Sequence, residues 1–144
     1  MTEIADEETV AVLRAAVLVL ARRLRYQVAG DDVLSATELA VLGRIGRCGP
    51  MTPGQLARAE HVQPPSMTKV IETLEGRGML SREPHPTDGR QYLVSRTAVA
   101  EAFVAASKQL RTAWLAGHLA DLSDSDQRAI IAAAPALARL AEQP

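Results

Sequence analysis

Between Thr52 and Thr97 the chain is punctuated so closely that only short elements fit, and this stretch constrains the fold more than any other. Thr52-Pro53-Gly54-Gln55 reads as a T-x-x-Q capping box with proline at the first helical position, where its missing N–H costs nothing. Leu56 and Ala57 give this short helix a small apolar face, and it should end near His61. The next helix opens at Gln63-Pro64-Pro65. Gln63 is a weak N-cap by type, so rigidity there comes mainly from two prolines that fix the backbone.

Along the second helix Met67, Val70, Ile71 and Leu74 recur at i, i+3, i+4 and i+7, which predicts a buried stripe. Ser66, Thr68, Lys69 and Thr73 then point away from it. Gly76-Arg77-Gly78 should stop the helix, because glycine tolerates the left-handed conformation of a C-cap. The outward face suits a groove-reading surface and equally an ordinary solvated one, and periodicity does not choose between them.

The sequel weighs on that choice. Met79–Glu83 and Gln91–Ser95 are short strand-like runs around a Pro84–Arg90 tip containing Asp88-Gly89. A hairpin alone is marginal in water and must lean on the helices. Helix, tight connection, helix and hairpin in that order predict a winged helix-turn-helix in a mainly α protein with a small β-hairpin wing. In such a frame Ser66, Thr68 and Lys69 are candidates for base edges or adjacent phosphates, with Gln63 and Pro65 on the same surface. Arg90 would enter a minor groove with Asp88 orienting its guanidinium, and Thr52 would offer helix N-terminal donors to a phosphate.

The frame Leu56-Ala57, Ser66-x-x-Lys69-Val70, Leu74-Glu75-x-Arg77-Gly78, Asp88-x-Arg90 and Val94-Ser95-x-Thr97 resembles the multiple-antibiotic-resistance regulator (MarR) family. The resemblance extends over nearly the whole chain. It implies an obligate homodimer that binds a palindromic operator in double-stranded DNA, usually as a repressor released by a small molecule or an oxidant. It also implies a pocket for a small aromatic effector, lined by the first, second and fifth helices, for which Tyr26, Leu42 and Trp114 are the candidate lining residues, with core packing the favoured alternative for each. Two departures stand out: Gln63-Pro64-Pro65 replaces the more usual capped start of the recognition helix, and Ala100 and its neighbours lack the glycine that often follows the Thr97 position.

The flanks read as helices. Residues 5–29 carry Leu13, Val17, Leu20, Leu24 and Val28 at 3–4 spacing, with Val10, Val12, Leu18 and Val19 widening the apolar surface beyond one stripe. Gly30-Asp31-Asp32 should break that helix, and Ser35-Ala36-Thr37-Glu38 is a second capping box launching Leu39–Arg47, with Leu39, Leu42 and Ile45 inward. After the wing, Ala98–Leu119 presents a seam of Phe103, Ala106, Leu110, Ala113 and Gly117. Ser123-Asp124-Ser125-Asp126 opens a last helix in which Ile130, Ile131, Leu137 and Leu140 should face inward and Pro135 should introduce a kink. The division that follows is a winged DNA-binding unit over 33–97 and a helical dimerisation region over 1–32 and 98–144.

Alanine and leucine dominate a chain that is 47% hydrophobic and 3% aromatic, which favours helices over a sandwich or barrel. Net charge is −1, and residues 33–96 hold eight Lys+Arg against six Asp+Glu, so nucleic-acid binding must rest on placed cations and not on a diffuse basic field. No apolar run reaches membrane-spanning length, the start is acidic and one cysteine excludes an internal disulfide framework, which together read as cytoplasmic. Cys48 reads as a small, semi-buried residue. In the resembling family's oxidant-sensing branch the cysteine lies in the first helix, where this chain has none. His61, His85 and His118 lack metal-ligand spacing, and no nucleophile elbow, phosphate loop or dinucleotide fingerprint occurs, so neither metal, cofactor nor catalytic residue is expected. The competing reading is a winged-helix protein-interaction module without DNA binding, favoured by the near-neutral charge and by Glu72 and Glu75 on the recognition helix.

Overall fold

The computed structural model describes residues 6–28 and 33–143. Its elements are α1 (Glu7–Arg25), α2 (Ala36–Cys48), α3 (Pro53–Ala59), α4 (Pro64–Gly76), β1 (Leu80–Pro84), β2 (Tyr92–Arg96), α5 (Ala98–Ala120) and α6 (Asp124–Ala141). Helix α1 ends at Arg25 with Tyr26 as its C-cap, three residues before Val28, where apolar spacing predicted it to continue. The Gly30-Asp31-Asp32 break and the predicted helix ends at 5 and 29 lie outside the described residues.

Local sequence accounts for where the helices begin. Ser35 and Glu38 form a reciprocal capping box at α2, and Thr52 and Gln55 form another at α3. Thr97 caps α5 and Ser123 caps α6. Thr97 also donates its hydroxyl to the Gly78 carbonyl at 2.6 Å and its N–H to Met79, locking the start of α5 to the end of α4. Ala100 is fully buried one turn into α5, so this exit from the wing fits an alanine tightly.

The two strands pair antiparallel with Leu80 opposite Arg96 and Pro84 opposite Tyr92, one residue later than the sequence pattern placed both. Met51 adds a short bridge to Val94, exchanging N–H···O bonds of 3.2 and 2.8 Å. Beneath this sheet lies a closed core of Leu34, Val41, Leu42, Ile45, Leu56, Met67, Ile71, Leu74 and Val94, completed by Ala100 and Phe103 from α5. Leu39 and Val70 pack against it half-buried.

Arg96 ties this body together. Its guanidinium reaches the Leu42 carbonyl at 3.1 Å and pairs with Glu101, linking β2 to α2 and α5. A side chain at Gly46 would collide with that guanidinium, so this glycine gives Arg96 its passage. Arg44 pairs with Glu60 at 2.7 Å and joins α2 to α3.

The flanking helices differ from expectation. Neither α1 nor α6 buries a single residue, and Ile130, Ile131, Leu137 and Leu140, predicted inward, are exposed. On α5 the buried stripe is Ala100, Phe103 and Ser107, whereas Leu110, Ala113 and Gly117 of the predicted seam are exposed. Only the first turns of α5 lie over the winged core. Pro135 sits inside α6 without ending it. Cys48 is exposed at the end of α2, not semi-buried, because α2 outruns the core there.

Candidate nucleic-acid interface

Helix α4 is held by its inner face. Met67, Ile71 and Leu74 are fully buried, which leaves Gln63, Pro65, Ser66, Thr68, Lys69, Glu72 and Thr73 exposed. Gln63 makes no side-chain cap bond, so the prolines alone start the helix. The Thr68 hydroxyl donates to the Pro64 carbonyl at 3.0 Å and the Thr73 hydroxyl to the Lys69 carbonyl at 2.9 Å. Their lone pairs remain available, so toward a base edge both act as acceptors. Lys69 has no ion-pair partner among the described residues.

The connection from α3 to α4 is a Schellman turn. The Val62 N–H reaches back to the Ala57 carbonyl at 2.9 Å, and His61 takes the left-handed position at φ 53°. Glycine usually occupies that position, which is why the sequence pattern gave no sign of it. Thr52 does not present donors to a phosphate as expected. It is buried, its N–H is taken by Gln55 Oε1 at 2.9 Å, and its hydroxyl accepts from the Gln55 N–H. Its work is to start α3.

At the wing tip Asp88 also departs from expectation. Its carboxylate accepts from Gln91 Nε2 at 2.8 Å and from the Arg90 backbone N–H at 3.0 Å, and does not pair with the Arg90 guanidinium. The Gln91 amide and then the Arg90 N–H hold its carboxyl below the ordinary carboxylate range. His85 Nδ1 accepts N–H bonds from Thr87 and Asp88 at 3.3 and 3.1 Å, folding the rest of the tip. Arg90 is left exposed with its guanidinium unpaired among the described residues.

The wing and α4 are braced against each other. Arg82 on β1 grips Glu75 on α4 through two bonds of 2.5 and 2.9 Å, and its guanidinium lies 4.4 Å from the centre of the Tyr92 ring. Glu75 is therefore not an acid facing outward, which removes half of the acidic argument against a nucleic-acid surface. Sequence spacing could not reveal this pair, since β1 folds back on α4 only through the turn at Gly78.

Likeness to known proteins bears on this geometry. The MarR family profile matches residues 34–92. An uncharacterized HTH-type transcriptional regulator of Mycobacterium leprae is 43% identical over 126 residues, covering 88% of this chain and 87% of that protein. An HTH-type transcriptional regulator of Mycobacterium tuberculosis is 39% identical over 138 residues, 96% of each chain. The chain belongs to the MarR family. It is a transcriptional regulator of a family whose members are DNA-binding proteins and not enzymes. Among solved structures, a Pseudomonas aeruginosa protein described as a transcriptional regulator is 32% identical with a TM-score of 0.81, covering 95% of this chain and 96% of the other. A cysteine-to-serine variant of MarR from E. coli, at 21% identity, shares the fold with a TM-score of 0.73 over 94% and 98% of the two chains.

The three candidate effector residues of this MarR-family chain do not converge. Leu42 is buried in the winged core and Tyr26 is 49% exposed at the end of α1. Trp114 stacks on His118 at 3.8 Å and lines a depression of about 300 Å3 with Leu20, Arg23 and Ile130, in which neither Tyr26 nor Leu42 takes part. These three residues come from the family resemblance, and the burial of Leu42 fits core packing.

Proposed function

We propose that this regulator acts as a homodimer that binds a palindromic operator in double-stranded DNA, with α4 of each protomer in a major groove and the wing in the adjacent minor groove. The observation that carries the reading is the outer face of α4. Gln63, Pro65, Ser66, Thr68 and Lys69 form a small, polar, singly cationic surface on a helix pinned from behind, beside a wing that presents an unpaired Arg90. The bracing of Glu75 by Arg82 fixes the distance between the two contacts. DNA contact then belongs to residues 33–97, and residues 1–32 and 98–144 join the protomers, supported by two apolar helices that bury no residue within one chain.

Operation in the cytoplasm, action as a repressor and relief by a small aromatic effector complete the reading on family likeness; among the described residues no helix is long and apolar enough to cross a membrane. Fluorescence anisotropy on the DNA upstream of the gene, at two salt concentrations and against a scrambled duplex, tests the whole. Sequence-preferring binding that weakens with salt supports it. Salt-independent failure to bind either duplex would mark a protein-interaction module instead. Within that assay Arg90→Ala should weaken operator binding by roughly 1–3 kcal/mol while the dimer stays folded. Affinity unchanged at matched salt would remove Arg90 from the interface. Effector relief fails if aromatic acids shift neither melting temperature nor DNA affinity.

A further inference from the structure

We propose that the cleft between α3 and α4 seats a DNA backbone phosphate and that Arg58 is the cation that holds it. The proposal rests on the DNA-binding reading above and adds a residue outside the motif that carries the family resemblance. The cleft has a volume of about 480 Å3 and is walled by Gly54, Arg58, His61, Gln63 and Pro64 among others, with no carboxylate in its lining. It opens beside the groove-entering end of α4, where a phosphate contact would fix register without reading sequence.

Three observations converge on Arg58. Its side chain is exposed and makes no hydrogen bond or ion pair among the described residues. The guanidinium lies back along α3 beside Gly54, where an added Cβ would meet Arg58 Nη1 at an ordinary contact distance of 3.7 Å. The neighbouring acid, Glu60, is drawn to Arg44 at 2.7 Å and so does not neutralise the cleft.

The start of α4 is poor in backbone donors for an anion. A helix N-terminus ordinarily offers an anion several free backbone N–H groups. Here Pro64 and Pro65 have none, and the Met67 N–H is spent on the Gln63 carbonyl at 3.0 Å. Of the four N–H groups that a helix start leaves unpaired, the prolines remove two, and those of Gln63 and Ser66 remain. A phosphate at this end of the recognition helix finds half the usual backbone donors, and Arg58 is the cation from α3 that lines the cleft.

The test measures Arg58→Ala and Arg58→Lys against the unmodified dimer, on a specific duplex and a scrambled one, over a salt series. Arg58→Ala should weaken binding on the order of ten-fold on both duplexes alike, and flatten the slope of log K against log[salt] by ~0.9 per protomer. Arg58→Lys should keep the slope, and melting temperature should not move because the side chain has no protein partner. A slope and affinity unchanged in Arg58→Ala overturn the phosphate seat alone. A loss confined to the specific duplex overturns it in favour of base reading, and a lowered melting temperature with an unchanged slope makes Arg58 a structural residue. Failure of the unmodified protein to bind any duplex at low salt overturns the DNA-binding reading and this proposal together.

Discussion

The helices α1 and α6 are richer in apolar residues than the winged unit, yet it is the winged unit that closes a core. In the winged unit Leu34, Leu56, Met67, Ile71, Leu74 and Val94 have no exposed surface at all. On α1 and α6, Val12 is 65% exposed, Leu18 63% and Ile131 62%, and an open furrow runs between Val17 and Leu20 on one side and Leu137 and Leu140 on the other. Isolated exposed leucines are unremarkable on any surface; contiguous ones along two long helices are not. One half of the molecule closes its core with its own chain, whereas the other half leaves its apolar surface open within one chain.

The largest expected effect is on the closed side. Ile71→Ala opens a cavity under α4 and should cost about 2–5 kcal/mol of unfolding free energy. Its denaturation midpoint should drop by the same amount at every protein concentration. A concentration-dependent drop would mean that the winged core also depends on the partner.

Next comes the open side. Leu137→Asp puts a charge into the furrow and should convert the dimer to monomer in sedimentation, while the melting temperature of the unmodified protein should rise with its concentration. An unaltered dimer would show that this face is not where the protomers meet.

Gly46→Ala sharpens the contrast within the closed half. Helix propensity favours alanine by about 1 kcal/mol, so a net loss of stability would report the displaced Arg96 guanidinium. The same substitution in an Arg96→Ala background should be stabilising, and equal effects in both backgrounds would rule out the coupling.

His61→Gly should give the smallest change. Relief of the left-handed backbone at φ 53° is offset by the greater freedom of glycine in the unfolded chain, for a gain of at most about 1 kcal/mol in thermal unfolding. A clear loss would show that the imidazole itself supports the turn.

Much of the winged unit is legible in the sequence because its signals are local. Capping boxes at Ser35 and Thr52, prolines at the start of α4 and the i, i+3, i+4, i+7 stripe act within one or two turns, and the structure follows them. The candidate site is legible in its outline, as the face of Ser66, Thr68 and Lys69, and illegible in its wiring. Asp88 spends its oxygens on Gln91 and the Arg90 backbone, Thr52 is used up by its own cap, and Glu75 belongs to Arg82. Each of those partners is chosen among several groups that come within reach only after folding. The three candidate effector residues rest on the family resemblance, and the depression beside Trp114 includes neither Tyr26 nor Leu42.

The sequence by itself determined where helices start, which face of α4 is apolar, that a hairpin follows it, and that α1 carries more apolar surface than one stripe can bury. These are properties of backbone propensity and side-chain period, which a short window of chain contains. Only the tertiary structure decided that Arg96 threads past Gly46 to hold α2 and α5, that Glu75 braces the wing, that Arg58 stands unpaired in the cleft, and that the lower half of α5 leaves the core. Those outcomes depend on distances between residues far apart in the chain, such as Leu42 and Arg96. Such distances are set by how the whole core packs.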